Sequence, residues 1–320
     1  MAVVDRLGPE LPDPIFERIA IVGVGLIGSS IARAARRVGA AGTIILADAS
    51  PEVLERAKAL DLGDEYSQSA FAAARGADAV IFCAPVGANE AIAREVGPAL
   101  KPGAIVSDVG SVKSAVIAAI APHLPDAVHL VPAHPVAGTE QSGPEAGFAA
   151  LFVNRWCILT PPEGTSSEAV ARLGRFWQAL GSNIEVMSPS HHDLVLAITS
   201  HVPHLIAYNI VGTAADLEEV TRSEVIKFSA GGFRDFTRIA ASDPTMWRDV
   251  FLHNKEAVLE MLGRFTEDLT ALQRMIRRGD GDGLFELFTR TRAIRRGIVE
   301  QGQETRAPDF GRRAAEDGDG

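Results

Sequence analysis

"RIAIVGVGLIGSSIARAARRVGA", residues 18 to 40, changes its period in the middle. From Arg18 to Val24 apolar residues run almost unbroken, as in a strand buried on both faces of a parallel sheet. From Leu26 onward they recur at helical spacing among alanines and arginines, which predicts a crossover helix ending near Gly39. Between the two lies Gly-x-Gly-x-x-Gly, made of Gly23, Gly25 and Gly28 and enclosing Leu26 and Ile27. In that context the glycines allow a tight turn and a close backbone approach to a pyrophosphate, and the helix N-terminal amides stabilise its charge. Asp48 follows about 20 residues later at the end of the next strand, where a carboxylate accepts hydrogen bonds from the adenosine ribose hydroxyls. The same carboxylate would repel a 2′-phosphate, so the expected cofactor is NAD.

The alternation of short apolar runs with helix-like stretches continues to about residue 187. Strands are predicted at "TIILAD" (43 to 48), "DAVIFCAP" (78 to 85), "GAIVSDVG" (103 to 110), "AVHLVPA" (127 to 133), "WCILTPP" (156 to 162) and "NIEVMS" (183 to 188). Thr165 and Glu168 read as a capping box for a helix between the last two. The fold class is α/β: an N-terminal Rossmann-type parallel-sheet domain over 17–187, followed by an all-helical domain over 188–300. Residues 1–16 are expected to form a loose arm and 301–320 a disordered tail with too little apolar content to pack. Long helices with an apolar face commonly bury it against a second copy, so a homodimer through the helical domain is expected.

The net charge of −10 over 320 residues argues against nucleic acid, which calls for a concentrated basic face. Cys83 and Cys157, the two cysteines, each sit in an apolar run and read as buried hydrophobes, consistent with a reducing, cytoplasmic setting. The N-terminus lacks the pattern of a secretory signal. Residues 194–215 carry no Asp, Glu, Lys or Arg and reach the length of a bilayer span. Ser200, His201, Pro203, His204, Tyr208 and Asn209 lie at their centre, so they are read as a buried helix and not a membrane segment.

Five further stretches carry candidate chemistry. "FCAP" brings Pro85 to the end of a strand beside the cofactor, where it also serves as a strand stop. "SDVGSVK" places Ser111 at a strand-to-helix turn, suited both to a helix N-cap and to the cofactor crevice, while Lys113 reads as a solvated lysine. In "PAHPVAGTE", Pro135 holds His134 in extended geometry, where it can accept a proton from an alcohol as hydride leaves. "GGFRDFTRIAASDPTMWRD" gathers Arg234, Arg238 and Arg248, side chains that bind carboxylates in bidentate fashion or pair internally with the neighbouring aspartates. His201 and His204 in "SHVPH" share a helix face, but no complete set of metal ligands accompanies them, so no metal is expected. Pro203 between them should kink the helix and free the Thr199 carbonyl.

Taken together, "GVGLIGSS", "DVGSVK", "HPVAGTE", "SHVPH" and "FRDFTRIAxSDPxMWRD", with Ala241 and Thr245 at the open positions, resemble the prephenate dehydrogenase (TyrA) family, also called cyclohexadienyl dehydrogenase. The resemblance runs in order over roughly residues 17 to 300. It implies NAD-dependent oxidative decarboxylation of prephenate to 4-hydroxyphenylpyruvate, or of arogenate to tyrosine, in tyrosine biosynthesis. By motif it implies that His134 receives the proton of the ring hydroxyl and that Ser111 supports that hydroxyl beside the nicotinamide. It also implies that His204 belongs to the substrate site and that Arg238 holds the ring carboxylate. Departures are few; one is Val202, where the family commonly has leucine. The chain leaves no room for a fused chorismate mutase or ACT domain, so any tyrosine feedback is expected at the active site itself. The competing readings are another hydroxyacid dehydrogenase or imine reductase of similar architecture, and a non-catalytic NAD sensor.

Overall fold

The computed structural model describes residues 11–139, 141–221 and 231–300. Residues 1–10 of the expected arm and the tail expected at 301–320 lie outside them. The opening stretch forms strand β1, Phe16–Val22, and helix α1, Leu26–Val38. Ile19, Ala20 and Ile21 are fully buried, which accounts for the unbroken apolar run. Gly39 ends α1 in the left-handed conformation at φ 67°, with Arg36 and Arg37 in the last turn beside the exposed carbonyls.

The chain then builds β2 (Ala41–Ala47), α2 (Pro51–Ala59), β3 (Glu65–Ser67), α3 (Ala70–Ala74), β4 (Ala79–Phe82), α4 (Asn89–Val96), β5 (Ile105–Asp108), α5 (Ser114–Ile120) and β6 (His129–Leu130). These strands make a six-stranded parallel sheet in the order β3-β2-β1-β4-β5-β6. The three-residue β3 is too short to show a period in the sequence.

The run "AVHLVPA" does not continue as one strand. After β6 the chain leaves the first sheet and re-enters a second as β7, Ala133–Pro135, which pairs antiparallel with β8, Trp156–Leu159. Pro132 separates the two; it has no amide to give to a ladder, and its carbonyl accepts the amide of Thr160 at 2.9 Å. Helix α6 (Ser167–Ala179) and β9 (Asn183–Val186, parallel to β8) complete this three-stranded sheet. The cap of α6 is Ser166, whose Oγ accepts the Ala169 amide at 3.4 Å; Thr165 instead donates to the Pro162 carbonyl at 2.8 Å, so the predicted capping box gives way to a simple cap one residue later. One hydrophobic core joins both sheets, running from Ile19 and Ile31 to Leu159 and Trp177. Within it the Phe152 and Trp177 rings meet edge to face at 5.2 Å.

From residue 188 the described structure is helical: α7 (Pro189–Leu196), α8 (Val202–Thr221), α9 (Gly231–Thr237), α10 (Pro244–His253), α11 (Lys255–Arg278) and α12 (Gly281–Glu300). Ser188 and Asp243 cap α7 and α10 through the amides of His191 and Met246, each followed by proline at the first helical position. The break expected at Pro203 takes the form of a single π-helical turn, Ala197–His201, between α7 and α8. Such turns absorb an extra residue and re-aim the side chains that follow. By length and composition the stretch Pro189–Asp216 could cross a membrane. In this structure His192, Asp193 and His201 within it are buried and hydrogen-bonded, whereas Leu194, Ile198, Ile210 and Val211 are exposed, so the expected burial holds for only part of the stretch.

By compactness the chain divides into two units, Met1–Val258 and Leu259–Gly320. The first holds both sheets and the helices through α10. The second exposes Leu269, Ile276, Phe285, Phe288 and Ile294 along its helices.

Candidate active site

Strand order reverses about β1 and β4, so a crevice opens at their carboxyl ends. The three glycines there are required for different reasons. Gly23 has φ +100°, and a Cβ on it would lie 2.7 Å from the Cys83 carbonyl carbon. A Cβ on Gly28 would collide with the Gly23 carbonyl oxygen, so that glycine lets α1 pack against the turn. A Cβ on Gly25 would meet nothing within 4 Å; what this glycine preserves is open space. Helix α1 starts at Gly25 with no side-chain cap and no acid in its first turn, leaving its amides to an anion.

Leu26 and Ile27 pack half-buried on the core beneath this turn. Asp48 is tied down from both sides: Oδ2 accepts the Val24 amide at 2.9 Å and Oδ1 the Ser50 amide at 3.0 Å. Its remaining lone pairs are available to ribose hydroxyls. Pro85 follows β4 and opens a short 3₁₀ turn, Val86–Ala88. These residues fit a dinucleotide by an open cradle, a free helix N-terminus and an anchored carboxylate.

Beyond β5, Ser111 sits half-buried in the turn before α5 but is not its cap. The helix starts at Ser114, and its leading amides are taken by Asp193 from α7: Lys113 N at 2.8 Å to Oδ1 and Ser114 N at 2.9 Å to Oδ2. Lys113 is not solvated either. It is fully buried, with Nζ 2.6 Å from Asp108 Oδ2 and 2.7 Å from the carbonyl of Ala133, the residue before His134. Burial pushes the Asp108 carboxyl up and the Lys113 ammonium down, and their contact opposes both shifts.

His134, in β7, is buried, and its Nδ1 lies 2.8 Å from His192 Nε2. His192 Nδ1 in turn lies 2.9 Å from Asp193 Oδ1. Burial lowers the pKa of His134 well below 6.5, helped by the charge of Lys113, and lowers that of His192 as well. Despite its burial, Asp193 is held below the usual carboxylate range by the hydrogen bonds of His192, Lys113 and Ser114.

The helical wall carries the rest. His204 donates from Nδ1 to the Ser200 carbonyl at 2.8 Å and stacks on Trp247, with ring centroids 3.6 Å apart and planes at 23°. His201 is buried, with Nδ1 3.1 Å from Asn254 Nδ2, and its pKa is lowered to about 4, chiefly by burial. His201 lies within electrostatic reach of both His134 and His204, and His204 within reach of Arg238, so these four side chains lie near one another. Arg248 pairs with Asp249 at 2.7 Å, and Asp249 also accepts the Gly87 amide beyond Pro85 at 3.3 Å. The cofactor loop and α10 are thereby joined.

Comparison with known proteins agrees over most of the chain. Residues 31–186 match the model of the prephenate dehydrogenase nucleotide-binding domain, and residues 188–290 that of its dimerization domain. The chain belongs to the prephenate dehydrogenase family. It is an oxidoreductase of the Rossmann-plus-helical type. Family relatives include the cyclohexadienyl dehydrogenase of Zymomonas mobilis, 45% identical over 88% of this chain and 96% of that one. The prephenate dehydrogenase of Bacillus subtilis is 33% identical over 88% and 76%. Among solved family members, prephenate dehydrogenase from Aquifex aeolicus in complex with hydroxyphenyl propionate and NAD+ superposes with TM-score 0.82 at 35% identity, over 88% of this chain and 98% of that one. Arogenate dehydrogenase from Synechocystis gives 0.74 at 28%, over 88% and 99%.

The His192–Asp193 pair and Asn254 lie outside the family motifs, while Trp247 and the buried Lys113–Asp108 pair lie inside them with roles the motifs do not reveal. "HHD" at 191–193 was a usable signal, because a carboxylate inside an apolar helix must find donors when that helix is buried.

Proposed function

We propose that this enzyme carries out NAD-dependent oxidative decarboxylation of prephenate to 4-hydroxyphenylpyruvate, and of arogenate to tyrosine. The carrying observation is the clustering of His134, the Ser111 turn, His204 and Arg238 beside a dinucleotide cradle in a chain of this family. Both substrates are supported because the relative 45% identical takes its name from the cyclohexadienyl ring that the two share.

Gly23, Gly25 and Gly28, with the first turn of α1, would hold the pyrophosphate, Asp48 the ribose and Pro85 the border of the crevice. NAD supplies the hydride acceptor when bound. His134 takes the ring hydroxyl's proton as the carbinol C–H bond is lost and a ketone forms. It returns that proton to the oxygen once the C–C bond to the ring carboxylate breaks and CO2 leaves the aromatic ring. Ser111 supports the hydroxyl, His204 the substrate and Arg238 the ring carboxylate, in a fork geometry suited to that group. Aromatisation drives the reaction, so the protein needs mainly to position and to move one proton. A homodimer through the helical domain and a cytoplasmic location complete the reading, supported by the match to a dimerization domain and by the character of the relatives.

The test is kcat/KM for prephenate and for arogenate with NAD and with NADP, beside a panel of 2- and 3-hydroxyacids. NADH and CO2 formed in equal amounts from at least one cyclohexadienyl substrate, with the hydroxyacids inert, is the expected result. Turnover of hydroxyacids alone, or NAD binding without turnover of any of them, refutes it.

A further inference from the structure

Resting on the reading of His134 as the base, we propose that His192 and Asp193 are positioning residues that hold His134 in the single tautomer able to take a proton through Nε2, while Asp193 keeps the Ser111 turn in register with it.

The assignment follows from counting hydrogens. The amides of Lys113 and Ser114 can only donate, so both Asp193 oxygens that they meet, at 2.8 and 2.9 Å, must accept. Asp193 is ionised and accepts from His192 as well, which puts a proton on His192 Nδ1. A neutral imidazole carries one N–H, so His192 Nε2 presents a lone pair to His134. The 2.8 Å contact then requires the proton on His134 Nδ1, and a neutral His134 is left with its lone pair on Nε2.

The opposite arrangement, with His192 donating to His134, would set a lone pair on His192 Nδ1 against the carboxylate at 2.9 Å, unless His192 were an imidazolium. Its burial works against that charge. When His134 takes the substrate's proton it becomes cationic, two hydrogen bonds from the Asp193 carboxylate. The ion pair is then formed by groups already in place, at no cost in reorganisation.

The same carboxylate also caps α5, the helix that follows Ser111, and Asn254 Nδ2 donates to the Asp193 backbone carbonyl at 2.8 Å. One side chain on α7 therefore aligns the β5–α5 turn with the base on β7. No local sequence pattern records this, since His134 and His192 are 58 positions apart.

Two readouts test the idea. In protein labelled with ¹⁵N-histidine, His134 Nε2 should resonate as an unprotonated nitrogen and His192 Nδ1 as a protonated one at pH 7.5, with assignments made from His134→Asn and His192→Phe. This measurement needs no turnover, so it is decided independently of which substrate the enzyme uses. In steady-state kinetics His192→Phe should lower kcat by about 10²- to 10⁴-fold, the upper end being the size that loss of tautomer control has in triad enzymes, with the Kd for NAD unchanged. His192→Gln offers an acceptor oxygen in the same direction and should recover most of that loss. A protonated His134 Nε2 in the wild type, a wild-type kcat in His192→Phe, or a His192→Gln as slow as the phenylalanine variant would each overturn the proposal.

Discussion

The imidazole of His204 lies face to face with the indole of Trp247, ring centroids 3.6 Å apart. Together with the Nδ1 hydrogen bond to Ser200, this stack fixes the ring in two dimensions and leaves Nε2 as its open acceptor. Aromatic pairs of this kind contribute about 0.5–1.5 kcal/mol beyond the area they bury. Trp247→Leu should therefore raise KM for the cyclohexadienyl substrate by about 3- to 10-fold, while Trp247→Phe should keep most of the affinity. Steady-state KM for both variants, with NAD saturating, checks this; an unchanged KM in the leucine variant removes His204 from the substrate site.

The second and third glycines of the turn should separate binding from folding. Gly25→Ala adds a methyl group where nothing stands within 4 Å and where φ is −86°, so the protein should fold with an unaltered Tm. Its Kd for NAD should rise by about tenfold or more, because the methyl takes the space a pyrophosphate needs. Gly28→Ala should instead lower Tm, since its methyl meets the Gly23 carbonyl oxygen. Calorimetry on both variants and NAD titration of Gly25→Ala give the comparison; tight NAD binding by Gly25→Ala would mean that the cradle serves something else.

Lys113 and Asp108 form an ion pair from which water is excluded, at 0% and 1% exposure. Removing one partner of such a pair leaves an uncompensated charge and costs about 3–5 kcal/mol, whereas replacing both with apolar groups of similar volume is often close to neutral. Lys113→Met should therefore be severely destabilised in urea titrations, and Lys113→Met combined with Asp108→Leu should recover most of the loss. Because Lys113 Nζ also holds the carbonyl of Ala133, the double variant should stay slow even where it is stable.

The parts of this protein that were legible in its sequence are those whose physics is local. The strand, glycine turn and helix of residues 18–40 are a few consecutive contacts, and Gly23, Gly25, Gly28 and Asp48 lie where that logic puts them. The change of sheet at Pro132 was hidden, because an apolar run reads alike whether it stays in one sheet or passes into another. Ser111 suited a cap by type and position, yet the cap comes from Asp193, about 80 residues later. A lysine is soluble by default; Lys113 is buried only because Asp108, across a turn, and the Ala133 carbonyl receive its protons.

The buried histidines give stability an acid limit whose sign can be worked out. His201, packed among His192, Asp193, His204, Asn254, Trp247 and the Ser111 backbone, has its pKa lowered to about 4 from 6.5, mainly by burial. Above pH 6.5 neither the folded nor the unfolded chain protonates it, and stability is untouched. As pH falls from 6.5 toward 4 the unfolded chain takes up the proton first, so the folded state loses ground, by about 2 kcal/mol at pH 5 from this residue. His134 and His192 shift in the same direction and deepen the loss, while Asp193, held low, stays charged across this window. Urea unfolding at pH 7.5 and pH 5 should show the protein markedly weaker at the lower pH, and His201→Gln should flatten part of that difference. Equal stability at the two pH values would mean that these histidines reach solvent and are not buried neutral in the wall of the site.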